Sequence, residues 1–113
     1  MIKIVALIRR RPDLEPKAFR AYWNDVHAPL VRERLPALIH YTGSFPLADA
    51  HGPVEVDAMQ FDAIVELGFP DRAAMEADMS SNAFMAQDRR DSSAHFMDVR
   101  NSRAMVVEEI DVL

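Results

Sequence analysis

Cysteine is absent from the 113 residues, which removes disulfide staples, thiolate nucleophiles and cysteine-based zinc sites. Glycine occurs only at Gly43, Gly52 and Gly68. That is too sparse for a Walker or Rossmann loop, where clustered glycines let backbone N–H groups approach a phosphate. Positive charge is in deficit, with 13 Lys and Arg against 18 Asp and Glu and a net charge of −5. Counterion release therefore gives no drive toward nucleic acid or anionic lipid, and neither nucleic acid nor membrane is expected as a partner. No apolar run is long enough to span a bilayer. The apolar N-terminus is followed, not preceded, by Arg9-Arg10-Arg11, the reverse of an export signal, so a cytoplasmic location is the expectation. What remains is 50% hydrophobic and 27% charged, the balance of a globular chain, and the length suits one domain over residues 1–113.

Hydrophobic spacing supplies the elements. Ile2, Ile4, Ala6 and Ile8 alternate with Val5 and Leu7, which predicts a strand buried on both faces. Pro16 suits a first helical position, and Phe19, Tyr22, Trp23, Val26, His27 and Leu30 then share one helical stripe. Pro29 has no N–H to continue the ladder, so the helix is expected to end or kink near His27 and to resume as a shorter turn as far as Leu35. Residues 37–45 read as a second strand between Pro36 and Pro46, and residues 47–59 as an irregular loop. A third strand is expected over 61–67, with Asp62, Ile64 and Glu66 opposite its apolar face. Helices follow, capped by Pro70-Asp71 and by Ser80 or Ser81, and a last strand covers 103–112. This order predicts an α+β, ferredoxin-like β-α-β-β-α-β unit with an antiparallel sheet and helices on one face. The other face of a two-sided strand would then lie bare, which points to a second sheet from a homodimer partner, with a ligand cavity in each subunit.

His27 lies on the inward stripe at the helix break, and imidazole exchanges protons near neutral pH, so it is the first acid–base candidate. The competing role is a structural histidine bonded to a carbonyl freed by Pro29. His40 and Tyr41 are neighbours on one strand and must point to opposite faces, so only one reaches a cavity. A tyrosine there either donates to a carbonyl or packs with a wet hydroxyl. His51 is an exposed loop histidine or a group over the cavity mouth. Asp62 interrupts an apolar strand and needs a partner or a wet cavity, and Glu66 shares its face. Trp23 and Phe61 are candidate apolar pocket wall. The histidines lack the local spacing of a metal site, so none is expected. A lone axial His suffices for haem, which leaves a haem reading open. Arg9-Arg10-Arg11 is a solvated strand end or greets an anionic substrate group.

The run from Phe19 through Ala21-Tyr22-Trp23-Asn24-Asp25-Val26-His27 to Val31 is the specific part of a broader similarity. With Met1 to Pro12, Leu35 to Tyr41, Phe61 to Phe69 and Phe96 to Asp98, it resembles the EthD-like family of the dimeric α/β-barrel superfamily. The resemblance implies a ferredoxin-like protomer, a homodimer forming a dimeric α/β barrel, and a pocket between sheet and helices. That family includes a muconolactone methylisomerase, in which a helix-end histidine, a second-strand tyrosine and a loop histidine are implicated. His27, Tyr41 and His51 fall at similar places. The expected activity is a cofactor-independent isomerase, cyclase or dehydratase acting on a small oxygenated ring such as a lactone, an aromatic-catabolism or a polyketide intermediate. In it His27 shuttles the proton, Tyr41 and His51 polarise a carbonyl, and Asp62 holds a histidine or water. The alternatives are a non-catalytic accessory protein of an oxidative pathway and a haem or cofactor-free monooxygenase.

Overall fold

The computed structural model describes residues 1–47 and 61–113. The irregular loop expected over 47–59 and its His51 fall almost wholly outside the described residues. Four strands, β1 (Ile2–Ile8), β2 (His40–Ser44), β3 (Ala63–Phe69) and β4 (Arg103–Glu108), form one sheet in the order β2-β3-β1-β4. Every pairing is antiparallel, with Ile4 opposite Leu67 and Val106, and Tyr41 opposite Leu67. This is the ferredoxin-like arrangement, in which the two outer strands come from the second and last positions of the chain.

Between β1 and β2 the chain runs through α1 (Pro16–Tyr22), a π-helical turn (Trp23–His27) and α2 (Ala28–Arg34). Pro29 breaks the α ladder where its chemistry demands, yet the helix does not stop. The Ala28 N–H reaches back five residues to the Trp23 carbonyl, and this wider turn accommodates a residue that lacks an N–H and would crowd the carbonyl four positions earlier. The turn also rotates the face. His27 is buried at 8% exposure, while Val26, expected on the same stripe, is 47% exposed.

Between β3 and β4 lie α3 (Arg72–Met79), α4 (Asn82–Met85) and α5 (Gln87–Phe96). The Asp71 carboxylate accepts the Ala74 N–H at 2.8 Å and the Ser81 hydroxyl accepts the Phe84 N–H at 3.1 Å, each satisfying an orphan donor at a helix start. α5 was not legible in the sequence. Only Ser92 and Phe96 of its ten residues are buried, so it lacks an apolar stripe. β3 starts two residues later than expected, at Ala63, and buries Ala63, Val65, Leu67 and Phe69 against the helices. β4 ends at Glu108, four residues short of its expected end.

The helices cover the face bearing Ile4, Ala6, Ile8, Val65 and Leu67, where Phe19, Val31, Leu35, Met75, Phe84 and Phe96 complete the core. The opposite face was expected to be apolar along β1, and it is mixed. Val5 and Leu7 are joined there by Lys3, which is 5% exposed and held by Glu109 and, at 3.3 Å, by Glu66. Among the described residues no helix is long and apolar enough to cross a membrane.

Candidate functional site

Between the sheet and its helices lies a half-open cavity of about 120 Å³. Ile8, Val65 and Leu67 form its floor and Val31, Phe84 and Phe96 part of its walls, and Trp23, His27, Tyr41 and Arg89 are among its polar groups. Each of those four arrives for a local reason. The π turn swings Trp23 and His27 under the helix. Strand alternation sends Tyr41 inward, because it pairs with Leu67, and sends His40 to the open face beside Thr42 and Glu66. Arg89 belongs to α5.

His27 Nδ1 lies 2.9 Å from the Ser92 hydroxyl, which in turn lies 3.1 Å from the Tyr22 hydroxyl. The structural role expected for a buried histidine is thus filled by a serine on α5 and not by a carbonyl freed at Pro29. Both neutral tautomers fit this chain, since a hydroxyl gives and takes. With Nδ1 so engaged, Nε2 is the nitrogen left for the cavity. The imidazole also packs 4.7 Å from the Phe96 ring. Burial, with a smaller push from the Arg89 charge, pulls the His27 pKa down to about 4. The side chain is therefore neutral at pH 7.

Tyr41 meets Trp23 edge to face at 5.6 Å, and Trp23 meets Phe45 in the same way at 5.6 Å. Burial pushes the Tyr41 phenol above its ordinary value, with hydrogen bonding to Trp23 pulling the other way. The phenol stays protonated and is available as a donor. Gly43 permits this wall. A Cβ at that position would stand 2.6 Å from the Trp23 ring, so any larger residue on β2 would drive the indole out.

Two expected site residues lie elsewhere. Asp62 precedes β3 instead of interrupting it, accepts the Arg10 backbone N–H at 2.8 Å and stands 3.7 Å from Arg10 Nε. It braces the end of β1 and does not touch His27. Phe61 lies under the Arg9 guanidinium at 5.3 Å and is not part of the cavity lining. The arginine triplet is structural too. Arg11 binds Asp13 and the His95 carbonyl, and Arg10 binds the Leu14 carbonyl. In the other direction, the sequence reading missed Ser92, Arg89 and Phe96. Their spacing, Arg89, Ser92 and Phe96 at i, i+3 and i+7, is a helical stripe in a segment otherwise too polar to suggest one.

Residues 11–100 match the EthD domain. The chain belongs to the EthD domain family. Comparison with curated proteins gives no match. Among solved structures, this EthD domain is similar to an ethyl tert-butyl ether D family protein of Bacillus halodurans, with TM-score 0.72 and 21% identity over 97% of this chain and 99% of that one. It is also similar to the cofactor-independent oxygenase SnoaB of Streptomyces nogalater, with TM-score 0.66 and 11% identity over 99% and 95% of the two chains. A dimeric ferredoxin-like protein of Thermobifida fusca matches with TM-score 0.63 and 16% identity over 94% and 88%. At these identities the likeness is one of fold.

Proposed function

We propose that this EthD domain is a cofactor-independent acid–base enzyme of the isomerase, cyclase or dehydratase kind, acting on a small oxygenated ring in the His27–Tyr41 cavity. The observation that carries the reading is a neutral histidine at the wall of an apolar cavity, held through Nδ1 by Ser92, which leaves Nε2 as the nitrogen for a ligand. Nε2 accepts a proton from an activated C–H of the ring and returns it at a second atom. The Tyr41 phenol donates to the ring's carbonyl and stabilises the oxyanion that develops as the proton leaves. In a lining this apolar the hydrogen bond is stronger than in water. Asp62, engaged by Arg10, has no part in this scheme.

A homodimer is part of the same reading. The open sheet face carries Val5, Leu7, Ile64 and Val107, and β4 exposes Met105 at 58%. A second sheet packed there would remove that surface from water, and the ferredoxin-like neighbour from Thermobifida fusca is dimeric.

One observation favours a second reading. A histidine pulled to about 4 is a weak base, which suits a binding or accessory protein that uses the cavity with no chemistry. Deuterium exchange separates the two. The protein is incubated in D2O with a panel of monocyclic lactones and enones, and loss of the acidic C–H signal is followed by proton NMR. The enzyme reading expects exchange in the wild type and a loss of about 10²-fold or more in His27→Asn. Binding without exchange throughout the panel, or a His27→Asn rate equal to wild type with fold and dimer intact, overturns it.

A further inference from the structure

Arg89 is the charged group of the cavity, and the reading above leaves it unused. Its Nε donates to the Phe84 carbonyl at 2.6 Å, and its Nη1 lies 3.3 Å from Ser93 Oγ. The guanidinium carbon sits 4.0 Å from the centre of the Phe84 ring. These contacts fix the fork in place and leave Nη2 with no hydrogen bond among the described residues. None of the described carboxylates pairs with it. Asp88, next to it in sequence, is bound to Arg34 at 2.5 Å. Asp91 accepts from Gln87 at 2.8 Å, and the buried Asp78 accepts the Ala37 N–H at 2.7 Å. The charges acting on Arg89 come from Arg90 and Arg34, both positive. With His27 neutral and Tyr41 un-ionised, the cavity holds one positive charge at neutral pH and nothing within the described protein that answers it.

A half-buried cation without a counter-charge is costly to maintain, and a guanidinium already oriented by its own contacts loses little freedom when it binds. We propose that Arg89 receives the anionic group of the cavity's ligand, so that the ligand is a monoanion, a single ring bearing one carboxylate. This deepens the proposed function and rests on its assignment of the cavity as the ligand site. A carboxylate takes two parallel N–H bonds from such a fork. The cavity volume of about 120 Å³ is close to the roughly 150 Å³ in which an apolar protein cavity holds benzene, so one ring is the matching size. The apolar floor of Ile8, Val65 and Leu67 takes the ring, and Arg89 takes the charge. An anion seated there also cancels the repulsion that Arg89 exerts on a protonated His27, the smaller of the two causes that lower its pKa.

The test uses benzoate and its neutral analogue benzamide as probes. Trp23 is the protein's one tryptophan and lines the cavity, so its fluorescence responds to a ligand there, and the Arg89 variants assign the response to this site. In the wild type benzoate is expected to bind more tightly than benzamide by about tenfold or more. Arg89→Met is expected to abolish that preference by weakening benzoate far more than benzamide, and Arg89→Lys to keep part of it, as a point charge without the fork. Equal affinities in the wild type overturn the proposal without reference to any variant's folding, as does a preference that survives in a folded Arg89→Met. If both probes bind equally, the cavity stands as a ligand site and only the role of Arg89 falls. If neither changes Trp23 fluorescence, the cavity assignment and this proposal fall together.

Discussion

On one side of β1, Ile4, Ala6 and Ile8 lie beneath helices, and Ala6 and Ile8 line the His27 cavity; on the other, Lys3, Val5 and Leu7 face outward. The two sides handle polarity differently. On the open side charge is compensated in place, Lys3 by Glu66 and Glu109, with Thr42 and His40 beside them. On the covered side a polar group is either neutral and hydrogen-bonded, as in the His27, Ser92 and Tyr22 chain, or is Arg89, a cation without a carboxylate among the described residues. A low-dielectric interior penalises unmatched charge, so an unmatched cation on that side is the feature that most resembles a binding group.

The sharpest way to break the covered side is Phe96→Ala. Phe96 is 1% exposed and packs on Phe19, Tyr22 and His27, so its loss is expected to cost about 3–5 kcal/mol in denaturant unfolding and to loosen the His27 wall. Acid attacks the same side through His27. Its folded value of about 4 lies below the ordinary 6.5, so the unfolded chain takes the proton first. The contribution is fully present above about pH 6.5 and is lost as pH falls through 4, amounting to about 3 kcal/mol. A stability profile from pH 7 to 4 should show that slope in the wild type and a flatter one in His27→Asn. Gly43→Ala places a methyl against the Trp23 ring and should cost about 1–3 kcal/mol, with a shifted Trp23 emission maximum as its signature. Ser92→Ala leaves His27 Nδ1 without its partner and should cost about 1–2 kcal/mol. The open side is expected to tolerate change within the protomer. Met105→Glu should alter protomer stability by about 0.5 kcal/mol or less, while sedimentation shows the dimer weakened; a dimer of unchanged affinity would place the subunit contact elsewhere.

Legibility followed the range of the interactions involved. β1 showed in alternation and the break at Pro29 in the missing N–H, because both depend on neighbouring residues. Helical periodicity turns His27 inward, whereas strand alternation says only that one of His40 and Tyr41 reaches a cavity; the tertiary structure places His27 and Tyr41 there. Asp62 misled because strand β3 begins two residues later than its apolar pattern suggested, which put a bracing carboxylate into a supposed strand interior. α5 was missed because a polar segment resting on Phe96 and Ser92 carries little hydrophobic signal. The pairing of His27 with Ser92 spans 65 positions and has no local trace.

The amino-acid sequence by itself determined the element order apart from α5, the antiparallel α+β class, the helix break before Pro29 and the absence of thiol and phosphate-loop chemistry, since composition and short-range periodicity settle these. Only the tertiary structure decided that the break is a π turn that carries the helix onward, that Ser92 orients His27, that Asp62 belongs to Arg10, and that Arg89 stands in the cavity without a counter-charge among the described residues. Each of these depends on which distant segments share one small volume, and there burial and charge compensation act on whatever packing has brought together.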